Sequence, residues 1–431
     1  MRRRSVEAVL GALALAGVCG TGALAACSSS SSPGTPPDAA TDGNASPGPP
    51  DAGDASPGDA TLGTDTGSPA ADAGADADAN ATDAAADSAQ PDVNAPPLNF
   101  NFDGGADCGV GPRGEPTELS CTGLYSDFAA KTVTPGIVQY DPGLTFWSDG
   151  AQKTRWLSLP PGTQIDTTDM DEWVFPIGTR IWKEFRLPDG DGGAETRVET
   201  RLLWKIDHLT WYRTTYVWTP DGETSATELT SGEFDAGGST YEIPSQQKCN
   251  QCHHGRKDGV LGIEAVSLSS PLASGLTLQS LGDAGLLTAP PTAPYVIPGD
   301  PTQAAALAWL HSNCGTACHN EGYGQAENTG FWMRLDVAKL ASVEATDTYT
   351  TGWNRPTTAF PIPGVTGTSY RLHACDTSSS CAYYRAGHRD GVDGTPSGTQ
   401  MPPIDTHIVD GVDLAGLGAW IDEGCADAGH D

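Results

Sequence analysis

The chain has 431 residues, 53 of them Gly and 33 Pro, and 55 acidic against 23 basic side chains give it a formal net charge of −32. So acidic a surface repels nucleic acid and anionic lipid headgroups, so a nucleic-acid partner is not expected. The length allows two domains and a tail, and the Gly, Pro and Ala content argues against one fold that engages the whole chain.

Met1-Arg2-Arg3-Arg4, an apolar run from Val9 to Val18 and then small residues have the layout of a secretory signal over residues 1–26. The run is too short to span a bilayer as a mature helix. Its end, Leu24-Ala25-Ala26-Cys27-Ser28, resembles the lipobox of bacterial lipoproteins. That resemblance implies acylation of Cys27, and an exported protein anchored to a membrane and facing the periplasm or the outer-membrane surface. Residues 27–97 then form a tether. From Ser28 to about Pro97 there is no Lys, Arg, Glu or Cys and almost no large apolar side chain, so burial cannot offset chain entropy. A spacer of about 70 residues reaches roughly 45 Å.

Residues 98–245 read as a β-rich antiparallel domain, sandwich-like or a meander. Lys153–Leu159, Trp173–Leu187, Thr196–Ile206, Thr210–Trp218 and Ser239–Ile243 are rich in β-branched and aromatic residues and are separated by Pro-Gly, Asp-Gly and Gly-Gly turns. Asp189-Gly190-Asp191-Gly192-Gly193 faintly resembles a calcium loop, but a hairpin turn is the simpler expectation.

After residue 245 the pattern becomes helical, and the C-x-x-C-H at Cys249–His253 and the C-x-x-x-C-H at Cys314–His319 mark a first haem segment over 246–299 and a mostly α-helical, cytochrome c-like region over 300–431 as expectations. Asp300 and Pro301 have the chemistry of a helix start ahead of Thr302–Leu310, and this helix leads directly to Cys314. Asp413 can cap a final helix whose Leu414, Leu417, Trp420 and Ile421 share a face.

Eleven cysteines in an exported chain are disulfides, lipid anchors or haem thioethers. Lys248-Cys249-Asn250-Gln251-Cys252-His253 contains C-x-x-C-H: two thiols spaced for the two haem vinyl groups and an imidazole placed for the iron. A redox dithiol or half of a zinc site are the alternatives. Cys314-Gly315-Thr316-Ala317-Cys318-His319 is C-x-x-x-C-H, in which the extra residue bulges out while Cys318 and His319 keep the ligand spacing. Met401, in the Pro-rich loop Met401-Pro402-Pro403, is the expected distal ligand of this second iron. For the first iron Met170, His208, Met333, His373 and His388 are candidates, and without a distal ligand it stays open to peroxide. His254 reads as a bystander and His311 as a surface or hydrogen-bonding residue. Cys108 with Cys121 and Cys375 with Cys381 can close small loops, which leaves Cys425 unpaired. Alternatively Cys425 bridges to Cys314, so that only Cys318 holds the second haem.

From about Gly123 onward the chain carries, in this order, Phe146-Trp147-Ser148-Asp149, Tyr241-Glu242-Ile243-Pro244-Ser245-Gln246, the first haem motif, Asn313 with the second motif, and Met401-Pro402-Pro403. In that order of segments it resembles a poorly characterised bacterial family of exported dihaem c-type proteins. The second motif departs from the family's C-x-x-C-H. The resemblance implies two haem c groups. The expected function is single-electron transfer to a partner protein. A peroxidase-like oxidoreductase with an open first haem, or a surface ligand-binding lipoprotein, are the rival expectations.

Overall fold

The structure is a computed structural model that describes Phe100 and residues 108–188, 195–220, 223–392, 395 and 397–427. The signal, Cys27, the whole tether and the Asp189–Gly193 turn lie outside the described residues, and the described residues all belong to one compact unit. No helix among them is long and apolar enough to cross a membrane.

The chain enters through a small hairpin, β1 (Tyr125–Asp127) and β2 (Thr132–Val133), then builds one six-stranded antiparallel sheet. Its strands are β3 (Val138–Tyr140), β4 (Gln152–Ser158), β5 (Arg180–Pro188), β6 (Glu195–Lys205), β7 (Trp211–Trp218) and β8 (Ala226–Glu228). They are neighbours in sequence order, a meander. The period-2 alternation puts Trp156, Trp182, Leu202, Trp204, Tyr212 and Tyr216 on one face, against Leu119, Leu124 and Tyr125. Leu157, Ile181, Leu203 and Trp211 lie on the other, against Val260, Ile263, Leu268 and Leu281. Burying side chains of this size contributes about 1.5–3 kcal/mol each.

The sandwich expectation is therefore corrected to a single sheet. Segments from the rest of the chain cover both faces and bury the apolar rows a second sheet would cover. Two strand expectations also change. Trp173–Thr179 precedes β5 as a turn, because Pro176 and Gly178 interrupt the ladder, and Val174 makes an isolated bridge to Asp166. Ser239–Ile243 makes only the bridge of Ile243 to Glu233, its short run ending at Pro244.

Beyond the sheet lie α1 (Cys249–Cys252), α2 (Ala265–Ser269), α3 (Leu278–Asp283), α4 (Pro301–Leu310), α5 (Asp347–Gly352), α6 (Cys381–Ala386) and α7 (Gly411–Asp427). The expected start of α4 is borne out. The Asp300 carboxylate accepts from Thr302 N and Gln303 N, the Gln303 side chain answers at Asp300 N, and Pro301 opens the helix. Its Leu307 and Leu310 share an apolar cluster with Leu417, Trp420 and Ile421 of α7.

Cys108 and Cys121 are bonded, as their spacing suggested. The other pairing is corrected: Cys375 bonds Cys425, and neither Cys375 to Cys381 nor Cys314 to Cys425 is linked. The Cys375 amide donates to the Ile421 carbonyl, which fixes the end of α7 beside it and brings the two Cα atoms to 4.6 Å. Cys381 opens α6 instead, with its thiol 3.2 Å from the Phe360 carbonyl, and stays a buried free thiol.

Candidate functional site

The segment between β8 and α2 folds Cys249-Asn250-Gln251-Cys252 into a single helical turn, closed by His253 N donating to Cys249 O at 2.9 Å. A helical turn places the two thiols on neighbouring positions of one face. The imidazole is then fixed from behind, because His253 Nδ1 lies 2.6 Å from Gly259 O. A carbonyl only accepts, so Nδ1 carries the proton and Nε2 keeps its lone pair. Gly259 has φ +63, and a Cβ there would stand 2.2 Å from the His253 carbonyl, so glycine is required for this approach. Asp258 beside it is locked to the sheet through Lys205 Nζ at 2.6 Å. Burial, with Arg213 nearby, pushes His253 down to about 3, the neutral state a metal ligand needs.

The second motif repeats this arrangement with one more residue. Helix α4 passes into a π turn over His311–Gly315, and His319 N donates to Cys314 O at 2.8 Å. The closing bond spans five residues where the first motif's spans four. The extra residue is thus absorbed by a π bulge, and the His returns to the same place relative to the first Cys. His319 Nδ1 sits 3.0 Å from Phe331 O, so again Nε2 is left.

The two motifs lie back to back. A Cβ on Gly255 would stand 2.2 Å from Ala317 O and 2.3 Å from Thr316 O, so the turn after the first motif rests on the backbone of the second. The first motif opens on one cavity and the second on another, both open to solvent. Asn313, Cys318, Pro402 and Pro403 border both.

Met401 borders the second cavity with Cys314, Cys318 and His319. Met333 borders it too, but Met333 N donates to His319 O, so that Met belongs to the histidine's own segment. The Met401 loop is held by residues with no local sequence signal. Asp149 accepts from Thr406 Oγ1 (2.7 Å), His407 N (2.8 Å) and Ile408 N (3.2 Å). Trp147 Nε1 donates to Ile408 O, while Trp147 N donates to Asn313 Oδ1 at 2.7 Å. One short segment therefore fastens the Met401 loop and the shared wall to the sheet. Their separations, above 160 residues in sequence, hide this from any periodicity.

None of the candidates for the first distal position borders the first cavity. Met170 packs against the sheet core, Met333 faces the second cavity, and His208 lies in the turn between β6 and β7. His373 and His388 stack on Tyr370 and Tyr384, each with ring centroids 3.9 Å apart. His254 is an exposed neighbour, as expected. His311 is not a surface residue. It is fully buried, accepts from Leu335 N at Nδ1 and turns Nε2 to Glu264.

The chemistry of both motifs fits a covalently held haem: two free thiols, an imidazole with Nε2 available, and an adjoining cavity. Burial pushes the Cys252 and Cys314 thiols up to about 12, whereas a redox-active dithiol needs a depressed thiol. No group of three or more His, Cys, Asp or Glu side chains that could hold a metal ion occurs among the described residues. Compared with protein-family models, curated proteins and solved structures, the chain matches none.

Proposed function

We propose that the protein is an exported, lipid-anchored dihaem c-type cytochrome that transfers single electrons. The observation that carries this reading is the equivalence of the two motifs, each closed by a bond from the His amide to the first Cys carbonyl and each with Nδ1 tied to a carbonyl. When bound, haem supplies a one-electron iron couple. Cys249, Cys252 and His253 would hold one group, and Cys314, Cys318, His319 and Met401 the other. Helix α4 leading to the second motif, the Met401 loop, and α7 packed on α4 support a cytochrome c-like C-terminal region. The pairing of Cys375 with Cys425 favours Cys314 as a thioether. Gly255 keeps the two sites in contact, and their shared wall supports electron exchange between them.

One observation favours a second reading, a peroxidase-like oxidoreductase. Among the described residues, His253 is the only His or Met bordering the first cavity, which would leave its iron open.

Both are tested on protein from a host with cytochrome c maturation. Pyridine haemochrome should give two haems per chain, and Cys249→Ala with Cys252→Ala should leave one. Retention of both in that variant refutes the first site. Peroxide turnover by the wild type would select the second reading.

A further inference from the structure

The first cavity holds a side chain that the motifs do not account for. Apart from the motif itself, the groups on its wall able to coordinate iron are Lys183, Tyr241, Lys248, Cys318 and the carboxylates Glu242 and Asp405. Most are engaged. The Tyr241 hydroxyl donates to Glu199 at 2.6 Å, Lys248 pairs with Glu242 at 2.7 Å and with Asp405 at 3.6 Å, and Cys318 belongs to the second motif.

Lys183 is different. It stands on β5 with Arg155 directly opposite on β4 and Arg201 directly opposite on β6. Like charges in register repel. Arg155 is relieved by Asp141 and Arg201 by Glu199, while no acceptor or anion pairs with Lys183 among the described residues. Its Nζ lies instead 5.0 Å from the ring centre of Phe185 and 6.0 Å from that of Phe146. A buried ammonium without an acceptor is costly. Burial, then the charges of Arg155, Lys153 and Arg201, hold this amine well below its usual range. A neutral amine offers a lone pair, here on a rigid central strand.

We propose that the Lys183 amine is the distal ligand of the iron held by Cys249, Cys252 and His253, an assignment that rests on the dihaem reading. It closes the first iron and makes the protein a carrier rather than an open-site enzyme.

The test uses dihaem holoprotein and reads spin state rather than activity. The wild type should show two low-spin ferric centres by electron paramagnetic resonance, with an amine charge-transfer band in near-infrared magnetic circular dichroism. Lys183→Ala should turn one centre per chain high-spin and let its ferrous form bind one carbon monoxide, and Lys183→His should restore the low-spin state. A high-spin centre already in the wild type, or two low-spin centres in Lys183→Ala, overturns the assignment. So does haem loss from the Cys249 peptide in Lys183→Ala with the spin of the remainder unchanged, which would make the lysine an anchor for the haem carboxylates. The wild-type spectra decide the matter even where the variant does not fold. Failure of the underlying reading looks different: peptide mass mapping of the wild type would find no haem on Cys249 and Cys252.

Discussion

At Gly255 the absence of a side chain is what lets the two cysteine motifs touch, since the carbonyls of Thr316 and Ala317 occupy the space a Cβ would take. Both obstacles are backbone, so they cannot swing aside as a side chain would. Gly255→Ala should therefore destabilise the fold by about 1–3 kcal/mol, the range for forced overpacking. Urea denaturation would reveal it as a lowered midpoint. An unchanged midpoint would mean that the two turns separate at no cost. His311 shows the same dependence on distant partners. A His on the helix leading to Cys314 reads as a surface or a hydrogen-bonding residue, and Glu264, which also caps α2, and the Leu335 amide make it the second and bury it.

Among the elements, the π turn at the end of α4 is followed by the bond from His319 N to Cys314 O, which takes up the extra residue of the six-residue motif, and a bulge of that residue was legible in the spacing. The bond from Cys375 to Cys425 could not. It closes 50 residues of chain, which in the chain-entropy account constrains the unfolded state by about 4 kcal/mol. Cys425→Ser should cost a loss of that order in unfolding free energy, whereas Cys381→Ser should leave the non-reducing gel mobility unchanged. A shift with Cys381→Ser would refute the pairing.

A second element-scale contact answers to pH. The loop before β5 reaches the C-terminal region through Asp171, whose carboxylate accepts from Val337 N, and through Glu172 on Arg334. Burial, then the charge of Asp336, pushes Asp171 up to about 7. An acid raised in the folded state stabilises fully below its unfolded value of about 3.9, and that contribution is lost as the pH rises through about 7. Asp171→Asn cannot ionise. It should gain stability relative to the wild type between pH 4 and pH 8, as measured by thermal unfolding at both. A constant difference would show that Asp171 does not titrate in this range.

For the molecule as a whole, the remaining prediction concerns the N-terminus. A lipobox at Cys27 implies that mature protein partitions into detergent and that Cys27→Ser leaves it soluble or unprocessed. Mature native protein in the aqueous phase with an unmodified Cys27 would remove the anchor, and with it the reading of residues 27–97 as a tether.

What the sequence determined by itself is what neighbouring residues decide. The runs of β-branched and aromatic residues that became β4, β6 and β7, the capped start of α4 and the bond from Cys108 to Cys121 all rest on groups within a few residues or one short loop. Only the tertiary structure decided that one sheet rather than two carries the core, that Cys375 meets Cys425, that Asp149 holds the Met401 loop, and that Lys183 faces the first cavity. Such contacts join residues as far apart as Asp149 and His407. Whether they form depends on which buried surfaces close over which, and no local pattern records that.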